Sequence, residues 1–277
     1  MYKMICIDID GTLIRPDMTV SKRVAEAISK AKEKGLIIAL STGRMHKSAL
    51  MYSDELGLLD PIVSSNGAYV SERDGKKVYY EENLSGSDVL LIQDILDQYD
   101  TKINWYNRGT MYISEYRDYV GRYEALSKTL PENRRILIKY LNDAFTLENL
   151  IGETGSSIQK GIVFPKPGLI ATIREKISKN KRIRVVSSGT DNLEFTSYLA
   201  DKGLGVLALA KEKGIHPDEI IAIGDSENDL SMLKVVGMPV AMGNAIKSVI
   251  DAAKYVTETN INDGVATMIE KLVLNEG

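Results

Sequence analysis

The 277-residue chain is 44% hydrophobic and 26% charged, with 35 basic side chains against 38 acidic. That is ordinary globular composition, which excludes a disordered, collagen-like or disulfide-built chain. A net charge of −3 gives no basic excess for nucleic-acid binding. No stretch reaches the roughly 18 apolar residues of a membrane span, and Met1-Tyr2-Lys3 opens no signal-peptide pattern. The single cysteine, Cys6, has no internal disulfide partner and sits in an apolar run, so a buried, reduced thiol in a cytoplasmic protein is expected. A chain of this length buries roughly three quarters of its unfolded surface and lies where one core often becomes two.

The first 65 residues alternate between strand and helix. Tyr2 to Ile9 reads as a buried strand. Ser21 is placed as an N-cap, Val24, Ala27, Ile28 and Ala31 follow at helical spacing, and Gly35 sits where a C-cap belongs. Leu36 to Ser41 is a second strand, Arg44 to Leu56 a second helix, and Pro61 to Ser65 a third strand. This order predicts parallel strands with crossover helices, and ligand loops along the carboxyl edge.

After Asn66 the rhythm changes. Ala68–Ser71 and Lys77–Glu81 flank the turn Arg73-Asp74-Gly75-Lys76, a hairpin pattern. Beyond Leu84 the segments read as helix 87–99, strands 101–107 and 111–114, helix 116–128, strand 136–141, helix 144–153, strand 157–164, helix 168–179 and strand 182–187. This mixture predicts an α+β insert with its own core, flanked by small polar hinges at 84–87 and 187–190. Trp105, Tyr106 and Tyr112 are candidates to line a pocket, but their alternating strand positions favour core packing. From Leu204 the βα rhythm returns: helix 204–213, strand 219–224, helix 228–236, strand 239–241, helix 245–252, strand 254–257 and helix 264–274. The expected fold is α/β, a Rossmann-like parallel-sheet core over 1–83 and 189–277 with an inserted α+β domain over 84–188.

Four segments carry candidate chemistry. Asp8-Ile9-Asp10-Gly11-Thr12 ends the first strand, and carboxylates at i and i+2 project to one side. Buried together they repel unless a cation or proton intervenes. Gly224-Asp225-Ser226-Glu227-Asn228-Asp229 adds carboxylates after a second apolar strand, the hard oxygen donors that suit Mg²⁺. Ser41-Thr42-Gly43-Arg44 sets a hydroxyl beside free helix N–H groups, a natural phosphate cradle. Lys202, at the start of a helix, opposes the helix dipole and needs an anionic partner or solvent. Each segment alone also reads as a turn, a cap or a solvated side chain. Their joint occurrence decides the matter, because an accidental match to either aspartate motif is on the order of a few in a thousand.

These residues, with Ser65-Asn66-Gly67-Ala68 and Asp201-Lys202-Gly203, resemble the haloacid dehalogenase superfamily of phosphotransferases. More narrowly the chain looks like the Cof-type, sugar-phosphatase-like hydrolases, which carry a large cap between their second and third motifs. The resemblance covers essentially the whole chain, although the cap cannot be matched residue by residue. It implies that Asp8 is the nucleophile forming an aspartyl-phosphate, and that Asp10 protonates the leaving alcohol and then activates water. It further implies that Thr42, Gly43, Asn66 and Lys202 hold the phosphoryl group. Asp8, Asp225 and the backbone carbonyl of Asp10 would bind Mg²⁺, with Asn228 or Asp229 in support. Arg44 is either a substrate contact or half of a structural ion pair, and the cap is expected to close over the site and select the leaving group.

The implied function is a Mg²⁺-dependent phosphatase of small phosphorylated metabolites. The alternatives are a phosphomutase or phosphotransferase on the same scaffold and a non-catalytic phosphometabolite-binding protein. Neither nucleic acid nor membrane is an expected partner, and oligomeric state is not readable. The chemistry requires a set of this size: enzymes lower phosphate-monoester barriers by up to roughly 28 kcal/mol. A single preorganised donor contributes only about 3–4 kcal/mol.

Overall fold

The computed structural model describes residues 1–128, 130–142, 145–154 and 157–275. The chain forms two compact units, one of Met1–Arg44, Ala49–Glu81 and Asp201–Gly277, the other of Met45–Ser48 and Glu82–Ala200.

The first unit begins with β1 (Met4–Ile7), α1 (Lys22–Glu33) and β2 (Ile37–Ser41). The helix starts where Ser21 Oγ accepts the Val24 amide at 3.1 Å, as its N-cap position predicts. Its buried face is Val24, Ala27, Ile28 and Ala31, the set read from the spacing. α2 (His46–Glu55), β3 (Ile62–Ser64), β4 (Tyr69–Ser71) and β5 (Val78–Glu81) follow. The second unit holds α3 (Gly86–Asp97), β6 (Ile103–Tyr106), β7 (Thr110–Ile113), α4 (Asp118–Lys128), β8 (Leu137–Tyr140) and α5 (Leu147–Thr154). It continues with β9 (Lys160–Val163), α6 (Ile170–Ser178), β10 (Ile183–Val186) and β11 (Leu193–Ser197). Back in the first unit come α7 (Lys202–Lys213), β12 (Ile220–Gly224), α8 (Leu230–Leu233), β13 (Met238–Ala241), α9 (Lys247–Ala252), β14 (Tyr255–Val256) and α10 (Gly264–Ile269). No helix among the described residues is long and apolar enough to cross a membrane.

The first sheet has the order β14-β13-β12-β1-β2-β3-β4-β5. The pairings from β14 to β3 are parallel and those of β3–β4 and β4–β5 antiparallel. Alternation along β1 divides the core. Ile5 and Ile7 face one cluster with α1 and α10, whereas Met4 and Cys6 face another with α7, α8 and α9. The sheet is therefore covered by helices on both faces, as a parallel sheet requires. Cys6 is a free, fully buried thiol, and burial pushes its pKa up to about 12.

The second unit is built on a sheet of order β10-β11-β9-β6-β7-β8, antiparallel except for β7–β8. One face packs Ile103, Trp105, Tyr112, Val163, Leu193 and Phe195 against α3, α5 and α6. Tyr106, Met111, Ile113 and Ile162 pack on the other with Val120 of α4.

Two boundaries differ from expectation. Ser187–Thr190, read as a hinge, lies in the connection of the β10–β11 hairpin, so residues 189–200 belong to the second unit and not to the core domain. Gly and Ser mark tight turns and hinges alike, and the short alternating run Leu193-Glu194-Phe195-Thr196 was the strand that distinguishes them. Met45–Ser48 also join the second unit, because Met45 is buried with Tyr106, Met111 and Ile113 and Lys47 donates its amide to Arg108 O at 3.3 Å. Helix ends elsewhere fall within a few residues of expectation; α5 begins at Leu147, and Ala144, where that helix was expected to start, lies outside the described residues.

A buried carboxylate organises the start of the second unit. Ser85 caps α3 through the Asp88 amide at 3.1 Å, and Asp88 returns by accepting the Ser85 hydroxyl at 2.6 Å. Its other oxygen accepts Asn180 Nδ2 and, at 2.9 and 2.7 Å, Nε and Nη2 of Arg182. Burial opposes the charge, but these donors outweigh it and hold the Asp88 carboxyl below the usual carboxylate range. We expect Asp88→Ala to cost about 1–3 kcal/mol in urea unfolding at pH 7. In the unsubstituted chain that contribution persists above the ordinary carboxylate pKa and fades as pH falls through the depressed one. The difference between the two proteins should therefore shrink with acidification, and a constant difference would contradict the assignment.

Candidate active site

The candidate residues converge because of strand order. β12, β1, β2 and β3 are consecutive neighbours, so the loops leaving their carboxyl ends line one edge. The chain departs from β1 toward β2 on one side and reaches β12 on the other, the topological switch where open α/β sheets bind ligands. Asp8 follows β1, Thr42 follows β2, Ser65–Gly67 follow β3, and Asp225 follows β12.

Lys202 holds the centre. It is the first residue of α7 and is completely buried. Its Nζ donates at 2.6 Å to Asp8 Oδ1 and at 2.6 Å to Asp229 Oδ1. Burial works against the ammonium, yet Asp229 and Asp8 together raise its pKa above the ordinary lysine value. Of the two expected answers to its position against the helix dipole, an anionic partner or solvent, the structure has the first: a pair of carboxylates. Asp229 is satisfied on both oxygens, since Oδ2 accepts the amides of Asp225 and Ser226 at 2.9 Å each. Its carboxylate therefore fixes the lysine and shapes the loop after β12 together.

Asp8, Asp225 and Asp229 offer oxygens that lie within 4.8 Å of one another. Thr12 Oγ1 donates to Asp225 Oδ1 at 3.3 Å. Burial first, and then Asp229, push the Asp225 carboxyl up to about 7. Asp8 is also raised well above the ordinary range, by burial ahead of all else, with Lys202 pulling it back. Three carboxylates against one ammonium leave negative charge over, in a set made only of hard oxygen donors. That donor set fits a divalent cation of the Mg²⁺ type.

Asp10 stands apart from this set. Its carboxylate is half-exposed and takes Nε and Nη2 of Arg44 at 2.7 and 2.6 Å. Of the expected metal-site residues, then, Asp10 could contribute only its backbone carbonyl in this arrangement. Gly11, at φ +76°, turns the chain immediately after Asp10, and a Cβ there would fall 2.3 Å from Asp225 Oδ2. Only glycine fits.

The loops after β2 and β3 are knitted together. Thr42 N donates to Val63 O, Asn66 N to Thr42 O, and Ser65 N to Arg44 O, at 2.8, 3.0 and 2.8 Å. Thr42 Oγ1 accepts the Arg44 amide at 3.1 Å, and Gly43 occupies the half-buried bend between them. Ser65 and Asn66 both adopt left-handed backbone, at φ 52° and 56°. Such strain persists only where surrounding contacts enforce it. Asn228 Nδ2 supplies one by donating to Asn66 Oδ1 at 3.0 Å. All the sequence-predicted site residues thus lie on these loops or on α7. Unforeseen were the Arg44–Asp10 pairing, the Asn228–Asn66 bridge and the support of Asp225 by Thr12. None has a spacing signature, because each joins residues remote in sequence.

Carboxylates, a buried lysine and interlocked backbone loops thus meet at the switch point of a largely parallel sheet, where open α/β sheets bind ligands. The family model of haloacid dehalogenase-like hydrolases matches residues 5–269. The chain belongs to that family, in its Cof-type branch, and is an enzyme of the phosphatase class. YxeH of Bacillus subtilis (strain 168) is 32% identical over 284 residues, covering 99% of each chain. The 5-amino-6-(5-phospho-D-ribitylamino)uracil phosphatase YcsE of the same strain is 26% identical, across 98% of this chain and 96% of that one. A solved structure of a haloacid dehalogenase-like hydrolase from B. subtilis superposes with a TM-score of 0.85 at 27% identity, covering 98% of this chain and all of the other.

Two stability measurements test the cluster. Lys202→Met strands two buried carboxylates and should cost about 3–5 kcal/mol in urea unfolding at neutral pH. A loss below about 1 kcal/mol would show the lysine is not their counter-charge. With Asp225 raised, the native metal-free chain keeps a proton that the unfolded chain has already released, so stability falls as pH climbs from the ordinary carboxylate range to about 7. Chelator-treated protein should therefore unfold at higher urea at pH 5 than at pH 8, and Asp225→Asn should flatten that slope. An unchanged slope in the variant would place the titration elsewhere.

Proposed function

We propose that this chain is a Mg²⁺-dependent phosphatase acting on small phosphorylated metabolites, sugar phosphates or their close analogues, through an aspartyl-phosphate. The observation that carries the reading is the buried Asp8 carboxylate at the end of a central strand, hydrogen-bonded by Lys202 within a three-carboxylate set. An anionic nucleophile beside an anionic phosphate needs positive charge at that point, and the fully buried ammonium delivers it where water cannot screen it.

In the first step an Asp8 oxygen attacks phosphorus and the bond to the leaving oxygen breaks. Asp10 gives its proton to that departing alkoxide. In the second step Asp10 takes a proton from water, which attacks the acyl phosphate, releasing inorganic phosphate and restoring Asp8. Lys202, Thr42, Gly43 and Asn66 hold the phosphoryl oxygens during both. Asp8, Asp225 and the Asp10 backbone carbonyl would hold Mg²⁺, with Asn228 or Asp229 behind them, and the bound cation would supply further positive charge to the phosphoryl oxygens. Asp229 serves this set chiefly through Lys202, since both its oxygens already have donors.

The second unit, residues 82–200 with 45–48, takes the role of a cap that selects the leaving group. A phosphorylated ribityl chain is the substrate that YcsE's name gives it, which places polyol phosphates beside sugar phosphates in the panel to be tried.

The test is phosphate release across such a panel with Mg²⁺. We expect turnover that a chelator abolishes, Mg²⁺ restores, and Asp8→Asn reduces below about one-thousandth. Full turnover by Asp8→Asn would remove the nucleophile assignment, and full turnover in excess chelator would remove the cation.

A further inference from the structure

Arg44 is a strong cation on the first unit's site loops that the proposed chemistry leaves without a task. Its guanidinium is more than nine-tenths buried, whereas the Asp10 carboxylate it grips is 51% exposed. The grip is a fork: Nε donates to Oδ2 at 2.7 Å and Nη2 to Oδ1 at 2.6 Å, so both carboxylate oxygens are fixed. Asp10 sits on a loop kinked at Gly11, where the backbone alone does not set the direction of a half-exposed carboxylate. Bidentate pairing sets that direction in a way a point charge cannot.

Arg44 is itself clamped by three separate segments. The Tyr52 ring of α2 lies 5.1 Å beneath its Cζ. Met18 Sδ accepts from Nη2 at 3.9 Å, and Met18 O accepts the Tyr52 hydroxyl at 3.5 Å. Met18 reaches this place with φ +68°, a left-handed backbone that a methionine adopts only under constraint. The arginine backbone meanwhile ties Thr42 to Ser65. A side chain so thoroughly held is built to hold something else.

We propose that Arg44 is a positioning residue for the proton-transfer step: it fixes the orientation of the Asp10 carboxylate toward the leaving oxygen. This rests on the reading of Asp10 as the acid and base of the proposed reaction. Alignment of a catalytic group is worth a large share of a barrier, and its loss should matter only where proton transfer to the leaving group matters.

Leaving-group dependence therefore separates positioning from a structural or phosphate-binding role. We would measure kcat/KM, which reports the first chemical step, for 2-glycerophosphate, whose alkoxide needs a proton, and for p-nitrophenyl phosphate, whose phenolate does not. Arg44→Gln should lower kcat/KM for 2-glycerophosphate by at least tenfold more than for p-nitrophenyl phosphate. Arg44→Lys keeps the charge without the fork and should recover only a small part of that difference. The double variant Arg44→Gln with Asp10→Asn should be no slower than Asp10→Asn alone. Circular dichroism and urea unfolding of both single variants establish that they are folded.

Equal losses on the two substrates, or full recovery by Arg44→Lys, would overturn the proposal. So would a gain in turnover on 2-glycerophosphate, which would make the pairing a brake. If Asp10→Asn itself loses equally on both substrates, the fault lies with the reading of Asp10 as the acid. If the unsubstituted chain turns over neither, it lies with the proposed function.

Discussion

The fully buried ammonium of Lys202 is the contact on which the site depends. Two carboxylates from different loops, Asp8 and Asp229, meet it at 2.6 Å each. Removing three charges from water is costly, and only close mutual geometry compensates it. The fold meets that demand by bringing the start of α7 up to the ends of β1 and β12. Asp229 extends the arrangement by taking two backbone amides of its own loop, which sets Asp225 in place. One lysine thereby fixes the relative positions of the β1 strand end and the acidic loop.

Around this centre the sheet edge divides by charge. The carboxylates gather on the β12 and β1 side, and the hydroxyl and amide groups of Thr42, Ser65 and Asn66 gather on the β2 and β3 side. Asn228 Nδ2 spans the two, reaching Asn66 Oδ1 from the acidic loop. Rigidity is the common property of both sides. Strained backbone at Ser65 and Asn66, glycines without room for a Cβ, and interlocked amides all limit how far a group can drift. Small displacements at a reacting centre cost large factors in rate, which gives that stiffness its purpose.

Much of this was legible in the sequence. The α1 face read from Val24, Ala27, Ile28 and Ala31 is the buried face, and the strand–helix order gave the parallel sheet. The aspartate motifs, Thr42 and Lys202 could be located because loops at strand ends are set by local order. The place of Lys202 at a helix start called for an anionic partner or solvent, and the sequence did not choose between them. Pair identities were not legible, since Asp10 and Arg44 are 34 residues apart and Lys202 and Asp8 are 194 apart. Such contacts depend on which loops the sheet order makes adjacent. The strand β11 was lost for a different reason: five residues after a Gly-Ser turn carry too little periodicity to outvote a hinge.

The chain re-enters its first unit at Asp201, one residue before the central lysine. A Cβ on Gly67 would meet the Asp201 carbonyl at 2.0 Å, and one on Gly203 would meet Ser231 O at 2.4 Å. The backbone on the far side of this seam is thus seated with no clearance, while the hairpin just before it closes on its own sheet. For anyone grafting a different insert onto this scaffold, the join belongs at Ala200 and not at the glycine-containing turn a dozen residues earlier. Modular exchange in this architecture is bounded by a backbone crossing with no clearance, and that crossing abuts the central lysine.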